Sequence, residues 1–154
     1  MQLRKLAILA PLVLGAALPP APAHAAQQMS PPDRHGQAIL IYSALMALDQ
    51  ANTTGNYSVL RDLAAPELQA TTSPAALAEA FAGYRRMNVA LGPAVLFEPH
   101  LAAPAAVATD GTLRLKGYMP TRPLRINFDL TFRAVAGSWR LIAVAIAPTQ
   151  SGKP

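Results

Sequence analysis

The segment formed by residues 123–148 constrains the fold of this chain more than any other. Within it, apolar and polar residues alternate strictly from Leu124 to Phe132. A period of two is typical of a strand with one buried face and one solvated face. The small residues at 136–138 suit a tight turn, and the chain then returns through Trp139 and an apolar run at 142–146. We therefore predict a β-hairpin whose large apolar face must be covered by other elements.

A long helix is predicted at the start of the folded region. Ser30 is the expected N-cap, with Pro31 at the first helical position, and the helix is expected to end near Gln50. Apolar residues recur along it at spacings of three and four, so they share one face that can cover a sheet. The residues of that stripe are Ala38, Ile41, Tyr42, Leu45 and Leu48.

Two further helices are predicted before the strands. Asn56 is expected to cap a short helix that Pro66 ends. A third helix is expected to begin with Ser73 as N-cap and Pro74 at its first position. From Asn88 onward the period changes from that of a helix to two, which is typical of strands.

The strand half contains a second hairpin signal. Val95 and Phe97 alternate with their neighbours, and Asp110 with Gly111 forms a dipeptide that favours a tight turn. Because helices and strands are segregated along the chain, we predict an α+β fold. In it, three N-terminal helices pack on one strongly curved antiparallel sheet of four to five strands.

The first 25 residues have the three parts of a secretory signal peptide. Arg4 and Lys5 precede an apolar run at 6–18, and Ala23-His24-Ala25 is a small-residue cleavage site. The apolar run is shorter than the ~20 residues of a membrane-spanning helix, so no permanent membrane anchor is expected. The prediction is a periplasmic or secreted protein, cleaved near Ala25.

The remaining chain divides into three parts in this prediction. Residues 26–35 form a leader and the start of the first helix, residues 36–148 form the single domain, and residues 149–154 form a flexible tail. A domain of this length is large enough to enclose a real hydrophobic core.

Charge and cysteine content exclude several classes of function. The chain has 13 basic and 8 acidic residues, and loss of Arg4 and Lys5 leaves 11 against 8, a net charge of +3. The basic residues of the strand half are not interleaved with aromatic ones, so no nucleic-acid partner is expected. With no cysteine, the chain can form neither a disulfide nor a thiolate metal site. We predict no metal site and no cofactor.

The order of these segments resembles a known superfamily. The long first helix, ANTTGNYSVLRDLAAPELQ, the helix SPAALAEAF and a last strand that opens GSWRL are similar to the nuclear transport factor 2-like superfamily, over residues 37–148. The resemblance implies a cone of three helices on a curved sheet. Members of this superfamily include isomerases, dehydratases, polyketide cyclases and transport factors, so the implied fold does not determine the function.

The resemblance directs attention to an apolar cavity inside the cone. Five candidates for its lining are Tyr42, Tyr84, His100, Phe128 and Trp139, although aromatic residues at helical spacing are more often core. A ketosteroid isomerase-type or polyketide cyclase-type lyase or isomerase would need an ionisable group there. The inward face of the strand at 124–132 has none, so non-enzymatic binding of a small apolar molecule or a protein partner is the leading prediction.

The outer face of the hairpin predicts a homodimer. With a two-residue loop at 136–137 or 137–138, Ile142, Val144 and Ile146 emerge on that face, with Arg125 and Arg133 toward the rim. Such a patch needs cover, and members of the superfamily are similar in often dimerising through the sheet face. A bulged loop one residue longer would exchange the two faces and bury the patch.

The export prediction is tested at the protein's N-terminus. N-terminal sequencing of protein recovered from the periplasm is expected to start at Ala26 or within a residue or two of it. An intact Met1 on that protein would contradict export by signal cleavage.

Overall fold

The computed structural model of this protein describes residues 29–151, so the predicted signal peptide and residues 152–154 lie outside the described residues. Helices come first and are followed by one curved antiparallel sheet of four strands in the order β1-β2-β3-β4. The predicted α+β class is confirmed. In chain order the described elements are α1 (Arg34–Thr54), α2 (Ser58–Asp62), α3 (Pro66–Thr71), α4 (Pro74–Ala80), α5 (Ala82–Met87), a 3₁₀ helix (Gly92–Leu96), β1 (His100–Leu101), β2 (Thr112–Met119), β3 (Leu124–Val135) and β4 (Ser138–Gln150).

Helix α1 starts later and ends later than its sequence pattern predicts. Its N-cap is Asp33, whose side chain accepts a hydrogen bond from the backbone N–H of Gly36. Ser30 and Pro31 precede the helix instead of starting it. At the other end Gly55 adopts the left-handed conformation with φ 73°, and its N–H bonds to the carbonyl of Ala51. Both ends thus satisfy backbone groups that the helix leaves unpaired.

The region predicted to hold two more helices contains four short ones among the described residues. Pro66 was expected to end a helix, but it lies in the first turn of α3. The backbone N–H that proline lacks has no helical partner at that position, so the helix loses no hydrogen bond. Ser73 caps α4 as predicted by accepting from the N–H of Ala76. Helical hydrogen bonding is interrupted at Phe81, and α5 continues from there with Arg85 in its last turn.

The strand predicted around Val95 and Phe97 is wrong, because residues 92–96 form a 3₁₀ helix. Pro93 lies in its first turn, and Asp49 of α1 accepts a hydrogen bond of 2.8 Å from the N–H of Leu91 just before it. Leu96 is 81 % exposed, so the alternation of apolar residues here does not produce a buried face.

The hairpin between β3 and β4 has the predicted two-residue loop. Val135 pairs with Ser138, and the loop residues Ala136 and Gly137 have φ values of 48° and 76°. Two successive positive φ angles match the twist of the flanking strands. Trp139 and Leu141 therefore lie on the core side of β4, as the sequence predicts.

A β-bulge then reverses the predicted faces of the rest of β4. Thr131 pairs with Ala143 but Phe132 pairs with Leu141, so Ile142 is an extra residue without a partner in β3. One extra residue moves every later side chain to the other face. The prediction that Val144 and Ile146 emerge beside the polar residues of β3 is wrong. Ile146 is 5 % exposed and belongs to the core, and Val144 packs against it.

The outer face of β4 instead carries a row of small residues. Ala143, Ala145 and Ala147 pair with Thr131, Asp129 and Asn127 of β3, and all three alanines are exposed. The β-branched patch that suggested a dimer centre is therefore not on this face.

The core is formed between α1 and the inner face of the sheet. Every buried residue of α1 lies at or after Ile41, and the side chains that β3 places inward are almost completely buried. They belong to one continuous cluster. From α1 and β3 the largest members are Ile41, Leu45, Leu48, Ile126, Phe128, Leu130 and Phe132.

Substitution within β3 tests the assignment of its two faces. Phe128→Ala is expected to lower the free energy of unfolding by about 3–5 kcal/mol, because a large aromatic side chain is lost from a packed core. Asn127→Ala, on the outer face, loses hydrogen bonds to the Ala147 carbonyl and the Thr149 hydroxyl, and is expected to cost less than about 1 kcal/mol. Denaturant unfolding of the two variants measures both values, and the reverse order would contradict the face assignment.

Candidate functional site

A cleft opens between the first half of α1 and the segment of residues 98–105 that contains β1. We call it the α1 cleft. It has a volume of about 1060 Å³ and is open to solvent on one side. Helix α1 contributes side chains from Arg34 to Tyr42 to one wall, and β1 with its flanking residues forms the other.

The chain before β1 is fixed to α1 at three positions. Tyr42 donates its hydroxyl hydrogen to the carbonyl oxygen of Phe97 at 2.9 Å, and Asp49 accepts the N–H of Leu91 at 2.8 Å. Nearer the mouth, Arg34 and Glu98 form an ion pair of 2.7 Å, but both side chains are highly exposed. Exposed ion pairs contribute about 0–1 kcal/mol, so the two bonds to the backbone position this wall more firmly.

The lining of the α1 cleft combines an apolar floor with polar groups near the mouth. Small and apolar residues from both walls form the floor: Ala38, Ile41, Leu101, Ala102, Ala103, Pro104 and Ala105. The polar lining residues include His35, Gln37, Tyr42 and His100. A concave apolar surface with a few polar groups is the usual composition of a small-molecule site.

His100 joins the α1 cleft to the outer face of the sheet. Its ring stacks on Tyr118 of β2 with ring centroids 4.9 Å apart and planes 4° apart. The guanidinium carbon of Arg125 lies 4.8 Å from the centroid of the same Tyr118 ring. Because β1 and β3 flank β2 on opposite sides, the His100 ring and the Arg125 guanidinium contact the Tyr118 ring from both neighbouring strands. This stack fixes one wall of the cleft to the sheet.

Gly117 permits the close pairing of β1 with β2. A Cβ atom at this position would lie 2.0 Å from the carbonyl oxygen of His100, and that oxygen belongs to rigid backbone. Any larger residue would therefore push β1 away from β2. A glycine inside a strand often marks a close approach of another backbone, so Gly117 was the residue from which this wall of the cleft could have been predicted.

The predicted cavity residues do not lie together. Tyr42 and His100 line the α1 cleft. Phe128 is buried in the core, and Tyr84 and Trp139 pack against that core away from the cleft. Burial raises the pKa of the Tyr84 hydroxyl above its ordinary value. The indole N–H of Trp139 is buried without a hydrogen-bond partner in the described structure.

Sequence reasoning missed that both histidines of residues 29–151 line one cleft. His35 and His100 are 65 positions apart and belong to a helix and a short strand, so spacing gave no signal. The arrangement offers proton donors and acceptors around an apolar floor. Within the described residues no group of three His, Asp or Glu side chains is placed to hold a metal ion.

The outer face of the sheet carries a shallower groove of about 460 Å³. Arg114 and Lys116 of β2 both approach the carboxylate of Asp129, which lies on this face. The hydrogen bonds from Arg114 are the main reason that the pKa of Asp129 lies below its ordinary value. Part of the positive charge of the strand half is therefore neutralised within the sheet.

The two arginines predicted for the rim of a dimer interface both interact with other residues of the same chain. Arg125 lies over Tyr118, and the Nε atom of Arg133 is 2.8 Å from a carboxylate oxygen of Glu67 in α3. That N–H has an ion-pair partner although its direction is poor for a hydrogen bond. With Val144 and Ile146 turned inward, the five predicted interface residues do not form one outer patch.

No family model, curated protein or solved structure matches this chain. The resemblance to the nuclear transport factor 2-like superfamily therefore stays a prediction. Among residues 29–151, no helix is both long and apolar enough to span a bilayer.

The dependence of the cleft wall on Gly117 can be measured. Gly117→Ala is expected to separate β1 from β2, because the new methyl group would overlap the backbone at His100. The ring proton resonances of His100 are then expected to lose the upfield shift caused by the Tyr118 ring. Gly83→Ala is the control, since its nearest heavy atom is the end of the Arg86 side chain at 3.9 Å. A His100 spectrum unchanged by Gly117→Ala would contradict this close approach.

Proposed function

We propose that this protein is an exported, non-enzymatic domain that binds a small, mainly apolar molecule in the α1 cleft. The observation that carries the proposal is the cleft itself, with about 1060 Å³ between two anchored walls. Its apolar floor favours burial of hydrocarbon, while His35 and Gln37 can orient one polar end of the ligand. The same proposal includes periplasmic or secreted localisation and membership of the nuclear transport factor 2-like superfamily.

The position of the cleft differs from that of a cavity inside the cone. The inner face of β3 is packed, because Phe128 and Phe132 are 2 % and 3 % exposed. We therefore propose that the ligand binds between α1 and β1, beside the sheet rather than above its centre. The order of helices followed by a curved antiparallel sheet supports the superfamily proposal at the level of architecture.

The alternative proposal is a small-molecule lyase or isomerase, and one observation favours it. His35, Tyr42 and His100 line the same cleft, and each can accept or donate a proton. Most of the remaining lining is apolar, with Ala38, Ile41 and Leu101 among the residues of the floor. Binding without chemistry is for that reason the leading proposal.

Filling the cleft tests the binding proposal. The probe is 8-anilinonaphthalene-1-sulfonate, which has apolar rings and one polar group and fluoresces when it leaves water. Ala38→Trp places an indole on the cleft floor and is expected to weaken binding of this dye at least roughly tenfold, because the apolar surface is then occupied. Fluorescence titration gives the dissociation constant.

Ser43→Trp is the matched control, because Ser43 is exposed on α1 and does not line the cleft. It is expected to bind the dye like the original protein. Equal binding by Ala38→Trp and the original protein, with equal melting temperatures, would contradict the site. Conversion of a β,γ-unsaturated ketone to its conjugated isomer, lost in His100→Gln, would instead support the enzymatic alternative.

A further inference from the structure

The last strand, β4, has one long edge that pairs with no other described strand over most of its length. β4 has 13 residues and is the last strand of the sheet, so it pairs with β3 on one side only. At its start, the N–H of Ala65 bonds to the carbonyl of Leu141 at 2.8 Å and covers that point of the edge. Beyond Leu141, no other described strand pairs with this edge.

The hydrogen-bonding direction of each residue in β4 follows from its pairing. The N–H of Ser151 bonds to the carbonyl of Pro123, which continues the β3–β4 register by one pair. In an antiparallel ladder every second residue bonds to the partner strand, so the odd-numbered residues from Ala143 onward bond to β3. The backbone N–H and C=O groups of Val144 and Ile146 therefore point to the free edge. Pro148 has the same parity and lacks an N–H, as expected at an edge.

Between its bulge at Ile142 and Pro148, this edge has little protection against another strand. Natural edges are blocked by charged side chains, prolines or bulges. Residues 141–150 contain no charged residue. The bulge at Ile142 and Pro148 bracket a run, Ala143-Val144-Ala145-Ile146-Ala147, that has neither a charge nor a turn-forming residue. A short uncharged run of this kind, whose backbone groups pair with no second strand, is expected to pair with an extended chain.

The run is self-complementary about its central residue. Around Ala145, Ala143 corresponds to Ala147 and Val144 corresponds to Ile146. We propose that two copies of this chain pair antiparallel through β4, with a two-fold axis beside Ala145. Val144 of each copy then exchanges both backbone hydrogen bonds with Ile146 of the other, which gives four bonds across the axis.

Side chains and charges are compatible with this pairing. Val144 and Ile146 of opposite copies meet on the inner face, while alanines face alanines on the outer face, so no bulky or like-charged pair is created. The result is one continuous eight-stranded sheet. Because the α1 cleft adjoins β1, at the opposite edge of the sheet, both clefts stay open in the dimer. This pairing does not require the proposed ligand.

Cross-linking tests the axis directly, since the chain has no cysteine of its own. Ala145→Cys places two thiols in a pair that shares no hydrogen bond, where Cα atoms are about 4.5 Å apart and a disulfide can form. Mild oxidation is expected to convert most of this variant to covalent dimer. Thr149→Cys, also exposed on the outer face of β4, lies four residues from the axis and is expected to remain monomeric on denaturing gels.

Light scattering measures the association itself. The original protein is expected to have the mass of two chains, and Val144→Pro is expected to weaken dimerisation roughly thirtyfold, because it removes two of the four hydrogen bonds. Val144 donates no hydrogen bond to β3, so the variant keeps the ladder within each chain. A melting curve checks that it is folded, and the Ala145→Cys result decides the matter if it is not.

Two results would overturn the proposal. One is a single-chain mass of the original protein up to about 1 mM together with equal cross-linking of the two cysteine variants. The other is a dimer whose mass is unchanged in folded Val144→Pro and which Ala145→Cys does not cross-link, since that dimer would use a different surface.

Discussion

The packing of α1 against the inner face of the sheet is the interaction on which the other parts of this structure depend. Ile41, Leu45 and Leu48 are completely buried on one side of that contact, as is Leu130 on the other. Burying such side chains contributes roughly 1.5–3 kcal/mol each. Because α1 is held there, its first two turns are fixed in space as well. Those turns contain no buried residue and are free to form the wall of a cleft.

The bulge at Ile142 decides what the rest of β4 presents to solvent. Without it, Val144 and Ile146 would face outward and the outer surface would be apolar. With it, both join the core side and the outer surface shows alanines. The same bulge changes which residues direct their backbone groups to the free edge, since Leu141 uses its carbonyl for Ala65 whereas Val144 and Ile146 have no such partner strand. The one inserted residue thus turns the side chains of Val144 and Ile146 to the core side of the sheet, and it directs their backbone groups to the free edge of β4.

Local chemistry made the hairpins and one helix start predictable. Gly137 and Gly111 both adopt positive φ at the tight turns read from the sequence, and Ser73 caps the helix that follows it. The alternation in β3 correctly predicted its buried face because that strand has no irregularity in the predicted span. These features depend on residues adjacent in the chain, where spacing carries the information.

Features that depend on distant contacts were not predictable in this way. The local sequence does not mark Ile142 as a bulge. Residues 142–147 are all apolar, so either register of β4 turns apolar side chains toward the core. Likewise, Val95 and Phe97 alternate as in a strand, but Val95 lies in a 3₁₀ helix that Pro93 helps to start, and Phe97 follows the end of that helix. His35 and His100 line one cleft because α1 and β1 lie close together. That proximity is determined by tertiary packing, which the spacing of residues in the sequence does not reveal.

The α1 cleft lies between the first turns of α1 and the segment that contains β1, and no residue of α1 before Ile41 is buried. β1 contributes only two residues, so it covers little of that part of α1. The space between them is closed by the chain at 97–105, which Tyr42 and Gly117 hold from opposite sides. A cleft placed beside a packed core can accept substitutions in its lining without loss of that core, which is the arrangement expected of a binding site on a stable scaffold.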